Sequence, residues 1–325
     1  MMDDFAFLQD NFSFLRAEDS WETIASSSEV SIAIHISFGR FGNNYNTLKK
    51  ILLVALHFRV QRLYLHISTE EMFAFASPWI TMINSAEDIQ NKKNVLLPNG
   101  GDKAIFFCDV SGFFGVNNVH EIDAKNILRA SLKCARPTPV HDNMLCIHVR
   151  GGDIFRDHAV SLINLRYRQP PLVWYFACIA AHRQRHEDCI VMLISEDRKN
   201  PCIVPIMQWC AQNGIKCRAN INSLENDYTL LMNARALVAS KGTFLLPCLD
   251  LNEHLAFVYV FDFAWCAEGT YIEEGQWRST PEQIGRMLNL SPDELALPED
   301  MYELAKQTAA HAACEPLTLW SPVLW

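Results

Sequence analysis

Short apolar runs alternate with amphipathic stretches along this chain, and the alternation starts twice. The first start is "EVSIAIHIS" (29–37), β-branched and apolar, which reads as a strand. A glycine-containing turn, "FGRFGNN", follows it. Then "YNTLKKILLVALHFRV" places Leu48, Ile51, Leu52, Ala55 and Leu56 at helical spacing. "RLYLHIS" reads as the next strand. A strand, loop, helix and strand in that order imply a parallel pair with a right-handed crossover. Between 69 and 140 the pattern predicts helical stretches and short strands at "KNVLLP" and "KAIFFCDV". The proline-containing "ARPTPVHDN" (135–143) reads as a linker.

The second start is "MLCIHVR", a strand. "PPLVWYFACIAAHRQRH" reads as a helix opened by proline, and "CIVMLIS" as a strand. "CIVPIMQWCAQN" reads as a helix distorted at Pro205 and closed by Gly214, and "IKCRAN" as a strand. "ENDYTLLMNA" is a helix, "RALVAS" a strand, "GTFLLPCLDLN" a helix start and "HLAFVYVF" a last strand. The fold class expected is therefore α/β, GT-B-like in the sense of two facing Rossmann-type domains. The boundaries expected are 1–140, 141–276 and a helical tail, 277–325, whose Thr-Pro and Ser-Pro pairs are helix-start signals.

Composition narrows the function. A chain of 325 residues with a net charge of −9 lacks the basic excess that broad nucleic-acid binding requires. A local cationic pocket for a small phosphate ligand remains compatible with that charge. The 11 cysteines form no CxxC pair, and Cys146, Cys178 and Cys248 sit in apolar runs. They read as buried hydrophobes in a reduced compartment, and no Cys/His set has zinc-ligand spacing. His182 and His186 are four apart in "HRQRH", which reads as a solvated helix face. The acidic start "MMDDFAFLQD" is unlike a signal peptide. No apolar run reaches the about 18 residues of a membrane span. The expectation is a cytoplasmic chain without a membrane span, which leaves room for peripheral membrane contact.

Ligands of open α/β sheets bind beyond the carboxyl ends of the strands. Four polar clusters fall at such ends: "GRFGNN" (39–44), "HVRGGD" (148–153), "SEDRKNP" (195–201) and "SKGTF" (240–244). Neither GxGxxG nor GxxxxGK[ST] is present, which disfavours a dinucleotide fingerprint and a P-loop. From spacing alone "GRFG" is a tight strand-to-helix turn. At "HVRGGD" two readings stand level. Arg150 holds a phosphate in a bidentate contact while the glycines admit the ligand, or Arg150 and Asp153 form a surface salt bridge.

"HVRGGD" resembles the HxRRxD motif of the α-1,2, α-1,6 and protein-O-fucosyltransferase superfamily, most of all its α-1,2-fucosyltransferase-like group. "ISFGRFGNNYNTLKKIL" is similar to that group's first strand, loop and helix. "LISEDRKNP" resembles its second motif, and "DYTLLMNARALVASKGTFLLPCLDL" its third. The patches span roughly residues 30–260 in the family's order. The resemblance implies a GT-B fold, GDP-fucose as donor, a glycan acceptor, inversion at the anomeric carbon, no metal and no other cofactor. It implies a diphosphate contact for Arg150, a nucleotide or phosphate contact for His148, and a motif role for Asp153. Ser195, Glu196 and Asp197 would lie near the nucleoside, and Asp227 would be the acid of the third motif. Ser240, Thr243 and Phe244 would contact phosphate and flank the base, and Gly39, Gly42 and Asn43 would lie near the reacting sugar.

Two departures stand out. Gly151 replaces the family's second arginine, and "YRQPPLVWYF" (167–176) has no counterpart in its best-known members. The chain therefore reads as a divergent member acting in surface polysaccharide or glycoconjugate synthesis. The alternatives are a GT-B enzyme with a different nucleotide sugar and a non-catalytic nucleotide- or sugar-binding protein. Asp153, Glu196 and His35 are candidates for the base that takes the acceptor proton.

Overall fold

A computed structural model describes residues 4–16, 19–21, 30–68, 72–110, 119–134, 141–151, 170, 172–198, 200, 202–221, 223–240, 243–261 and 276–279. The chain divides into two compact units. Unit 1 is Met1–Lys133 with Leu249–Leu251, and unit 2 is Cys134–Cys248 with Asn252–Trp325. Among the described residues, no helix is long and apolar enough to cross a membrane.

Unit 1 opens with α1 (Asp4–Asn11) and β1 (Phe12–Phe14). Its sheet also holds β2 (Ser31–Ile36), β3 (Arg62–Ile67), β4 (Ile80–Met82) and β5 (Val95–Pro98). The order is β1-β5-β2-β3-β4, parallel except for β1 against β5. The crossover from β2 to β3 is α2 (Phe41–His57), which buries Leu48, Ile51, Leu52 and Ala55 at the helical spacing of the sequence. A further helix, α4 (Val119–Ser131), follows α3 (Gly101–Phe107). Asp250 belongs to this unit through a half-buried network. Its carboxylate lies 2.7 Å from Lys49 Nζ and accepts from the Tyr45 hydroxyl at 3.1 Å. Burial opposes the Lys49 charge, but Asp250 and Glu121 together hold its proton affinity above the ordinary lysine value.

The stretch "KAIFFCDV", expected as a strand, is helical instead over Gly101–Phe107. Gly100 and Gly101, at φ of 75° and 71°, turn the chain sharply off β5, a conformation that glycine alone adopts readily. The helix then turns Ile105 inward and leaves Phe107 67% exposed. A run of aromatics imitated a strand, and the preceding glycines decided the geometry.

Unit 2 holds β6 (Met144–His148), β7 (Ile190–Ile194), β8 (Lys216–Asn220), β9 (Ala236–Ala239), β10 (Phe257–Phe261) and β11 (Gln276–Ser279). All pair in parallel, in the order β11-β10-β9-β6-β7-β8. Numbered within the unit this is 6-5-4-1-2-3, the doubly wound Rossmann order, which reverses direction between β6 and β9. Leu145, Cys146 and Ile147 are wholly buried, as a central parallel strand covered on both faces requires. Helices α5 (Leu172–Arg185), α6 (Ile203–Gln212) and α7 (Leu224–Asn233) complete the crossovers, and α8 (Leu246–Leu251) follows β9. Trp174 and Trp209 are core residues, and Phe176 stacks on Trp209 at 4.8 Å. Pro205 falls in the first turn of α6, where it breaks no helical bond. Gly214 (φ 66°) closes that helix as Ile215 N donates to Cys210 O at 2.8 Å. The residues expected to begin a helical tail instead contain β11, because Gln276–Ser279 pair in register with Val258–Phe261. The rest of the tail, and residues 135–140 of the expected linker, lie outside the described residues.

The solvated face expected of "HRQRH" is also corrected. His182 is wholly buried and packs on the half-buried His186 ring at 4.8 Å. Burial, then His186 and Arg185, hold its proton affinity down to about 4, against a small opposing pull from the Asn143 backbone. The folded state thus holds fewer protons at this site than the unfolded chain between pH 6.5 and about 4. Stability must fall as pH drops through that window and level off below it. His182 alone accounts for roughly 3 kcal/mol, from the shift at about 1.36 kcal/mol per pH unit. His182→Gln is expected to flatten this acid arm in chemical denaturation measured at pH 7, 6, 5 and 4. An unchanged arm would place the acid sensitivity elsewhere.

Candidate functional site

The reversal of strand order leaves a gap beyond the carboxyl ends of β6 and β9, since the crossovers from these strands run to opposite sides. β6 ends in His148 and β9 is followed by Ser240. Ser240 Oγ and His148 Nδ1 lie 2.5 Å apart, and both residues are buried. Phe244, in the 3-10 turn Thr243–Leu245, stacks on the His148 ring at 4.5 Å with planes 17° apart. Burial, and next the Arg150 cation, depress the His148 proton affinity to about 3. His148 is therefore neutral at physiological pH. One ring nitrogen carries hydrogen and the other a lone pair, and Ser240 fixes one of the two.

The loop after β6 carries Arg150 and Gly151. Val149 N still donates to Ile194 O, so the loop leaves the sheet only after that bond. The loop after β7 carries Ser195, Glu196 and Asp197 and presses directly on it. A Cβ placed on Gly151 would lie 2.8 Å from Asp197 Oδ1 and 3.0 Å from Ser195 Oγ. Glycine here permits close approach of two loops. Asn200 ties them again, donating its Nδ2–H to Arg150 O at 2.7 Å, while its Oδ1 accepts from Cys202 N. Ser195 is 2% exposed, and its Oγ has no hydrogen-bond partner among the described residues. Glu196 is exposed and Asp197 half-buried.

The third motif starts α7. Ser223 caps the helix, and Asp227 faces the end of β8, where Asn220 Nδ2 donates to its Oδ1 at 2.8 Å. Burial raises the Asp227 carboxyl to about 7, and the Asn220 bond opposes the shift. The next residue, Tyr228, is wholly buried, and its hydroxyl donates to the Phe244 carbonyl. The Tyr228 and Phe244 rings meet at 4.9 Å. His148, Arg150, Ser195, Glu196, Asp197, Asp227, Ser240, Thr243 and Phe244 therefore all belong to unit 2, at or beside the carboxyl ends of its strands. Asp153 lies outside the described residues. The sequence reading missed Asn200, Asn220 and Tyr228. Their signal was adjacency to a motif residue, for Asn200 within "SEDRKNP" and for Tyr228 beside Asp227. Asn220 closes a strand without any motif.

Gly39, Gly42 and Asn43 belong to unit 1. Gly39 has φ 76°, and a Cβ there would overlap the Asn43 side chain. The amides of Ser37 and Phe38 donate to Asp102 Oδ2 at 2.5 and 2.6 Å. The carboxylate held by these loop amides is thus the chain's own. Asp102 lies in the first turn of α3, so it completes the turn between β2 and α2 from beyond the end of the neighbouring strand β5.

No family model matches the chain, and no curated protein matches it in sequence. Solved structures similar to it include POFUT1 in complex with GDP, at 10% identity and a TM-score of 0.42, over 69% of this chain and 94% of that one. TibC, described as an iron-containing dodecameric glycosyltransferase from enterotoxigenic E. coli H10407, is 14% identical with a TM-score of 0.42. That match covers 77% of this chain and 62% of TibC. A mutant of Arabidopsis thaliana FUT1 in complex with GDP is 12% identical with a TM-score of 0.39, over 74% of this chain and 72% of that one. Likeness at this level identifies no residue, donor or reaction in this chain.

The packing at Gly151 generates a direct expectation. Gly151→Ala must push Asp197 and Ser195 aside, at a cost of about 1–3 kcal/mol, typical of overpacking. Gly151→Arg is expected to cost more, although it recreates the family's arginine pair. Urea denaturation of both variants measures this. Parental stability in either would show that the loops yield freely.

Proposed function

We propose that this chain is an inverting, metal-independent glycosyltransferase that moves fucose from GDP-fucose to a glycan hydroxyl, in surface polysaccharide or glycoconjugate synthesis. The observation that carries the reading is the buried His148–Ser240 pair at the reversal point of the unit 2 sheet. It is flanked by Arg150 and Phe244, all at positions where the family's motifs place donor contacts. A neutral, fixed histidine next to an arginine suits a site for an anionic diphosphate. The imidazole then donates or accepts a hydrogen bond without adding a second charge.

In the proposed reaction the acceptor oxygen bonds to the anomeric carbon as the bond to the diphosphate breaks. Negative charge grows on the leaving diphosphate, and Arg150 stabilises it electrostatically. Asp227, near half-protonated at neutral pH, is able to accept from a hydroxyl or donate to an oxygen of the nucleoside. A second reading, a different nucleotide sugar, is favoured by Gly151. Where the motif has its second arginine, a side chain here would meet the Asp197 carboxylate at 2.8 Å and the Ser195 hydroxyl at 3.0 Å.

Release of GDP from GDP-fucose by the purified chain, in EDTA and with a glycan mixture as acceptor, tests the proposal. Activity is expected to persist in EDTA and to fall about 10²- to 10³-fold in Arg150→Ala, the usual cost of removing one such group. Turnover of another nucleotide sugar in place of GDP-fucose would select the second reading. Absence of turnover with every donor, despite tight GDP binding, would leave a binding protein.

A further inference from the structure

The backbone that carries Arg150 is fixed unevenly. Before it, Val149 N donates to Ile194 O at 2.9 Å, so the chain is still held to β7 there. After it come Gly151 and Gly152, the residue type with the widest backbone freedom. The peptide that joins Arg150 to Gly151 is therefore the point at which the arginine can drift. Asn200 holds that peptide. Its Nδ2–H donates to the Arg150 carbonyl at 2.7 Å, from 50 positions further along the chain. The other end of the same side chain is bound to α6. Asn200 Oδ1 accepts from Cys202 N at 2.8 Å, and Asn200 O accepts from Ile203 N at 3.2 Å. Both donors lie at the start of α6, where Cys202 supplies no side-chain cap. That helix buries Ile203, Ile206, Trp209 and Cys210 in the unit 2 core, which makes it a rigid anchor.

The chemistry required at position 200 is specific. Cys202 N only donates and Arg150 O only accepts, so the side chain between them must accept at one end and donate at the other. A carboxamide of this length does both. An aspartate would set a second acceptor against the carbonyl. A serine, one atom shorter, would cap Cys202 N without reaching Arg150 O. Asn200 is 1% exposed, so either bond is costly to leave unmade. Gly151 raises the stake, because "HVRGGD" carries one arginine where the resembling motif carries two. The placement of that one guanidinium then sets the contact with an anion, and a misplacement of about 1 Å is enough to weaken such a contact severely.

We infer that Asn200 is a positioning residue for Arg150, carrying the rigidity of α6 to the peptide after the arginine and so presetting the guanidinium for a nucleoside diphosphate. The inference rests on the nucleotide reading proposed above. Asn200 acts through Arg150 and not by touching the ligand. Its contribution to affinity therefore exists only while Arg150 is present.

That condition is tested by a double-mutant cycle on the full chain. The parent is titrated calorimetrically with GDP, ADP and UDP, and the tightest binder is carried through Asn200→Ala, Asn200→Ser, Arg150→Ala and the two double variants. Each Asn200 variant is expected to bind about tenfold more weakly than the parent, the size of one lost hydrogen bond. In the Arg150→Ala background the same substitutions are expected to change affinity by less than about twofold, because the group they position is gone. Asn200→Ser retains a cap for α6, so it is expected to lose affinity while staying closer to parental urea stability than Asn200→Ala. A residue that merely supports the fold would weaken binding by the same factor in both backgrounds. That outcome, or parental affinity in both single variants, overturns the positioning role and leaves the nucleotide reading standing. A parent that binds none of the three nucleotides, or Arg150→Ala with parental affinity, overturns the nucleotide reading at Arg150 and the inference with it.

Discussion

A polar side chain at the end of a fully buried strand has to find its partner inside the protein, and His148 finds two. β6 lies in the middle of its sheet, with Leu145, Cys146 and Ile147 wholly buried before it. At its end the ring is bonded to Ser240 and covered by Phe244. Each partner comes from the segment after β9, on the other side of the reversal point. The constraint therefore sets the spacing of the two strand ends around which a ligand would bind. It also keeps the ring uncharged, because burial and the Arg150 cation both disfavour a proton there. One formal cation, rather than two, remains at the mouth of β6.

Around that pair the loops are fitted by close approach more than by charge. Gly151 allows the Ser195–Asp197 loop to rest against the β6 loop, and Asn200 binds the Arg150 carbonyl from the same side. A larger residue at 151 would have to displace the Asp197 and Ser195 side chains. The arginine pair of the resembling family thus gives way here to a single arginine, a buried hydroxyl and a carboxylate. Asp227 and Asn220 close the β8 side, and Tyr228 anchors Phe244 through its backbone carbonyl. The aromatic that covers His148 is thereby held by the helix that presents Asp227.

Much of this was legible in the sequence. Strand and helix alternation in unit 2 was legible because the parallel strands are uninterrupted apolar runs and the helices carry core residues at regular spacing. His148, Ser240 and Phe244 were legible as motif residues, but the direct contact of His148 with Ser240 was not, since it joins segments 92 residues apart in the chain. The hidden parts share a cause. "KAIFFCDV" looks like a strand because periodicity in a short aromatic run is ambiguous, and Gly100 and Gly101 settle it through backbone conformation. His182 looks solvated because arginines follow it, yet those arginines point elsewhere, Arg185 to the Tyr259 hydroxyl and Arg183 to the Asn213 carbonyl. Asp102 and Asn220 serve partners outside their own elements, and nothing in their local pattern marks them.

The central claim is that a nucleotide binds where β6 and β9 part. Hydrogen exchange of the backbone amides with and without GDP tests it most directly, because protection maps a ligand onto segments without presuming a reaction. Slowed exchange is predicted in residues 149–151, 195–198 and 243–245, with the strands themselves unchanged. Protection confined to unit 1, or no change at saturating GDP, would contradict the account.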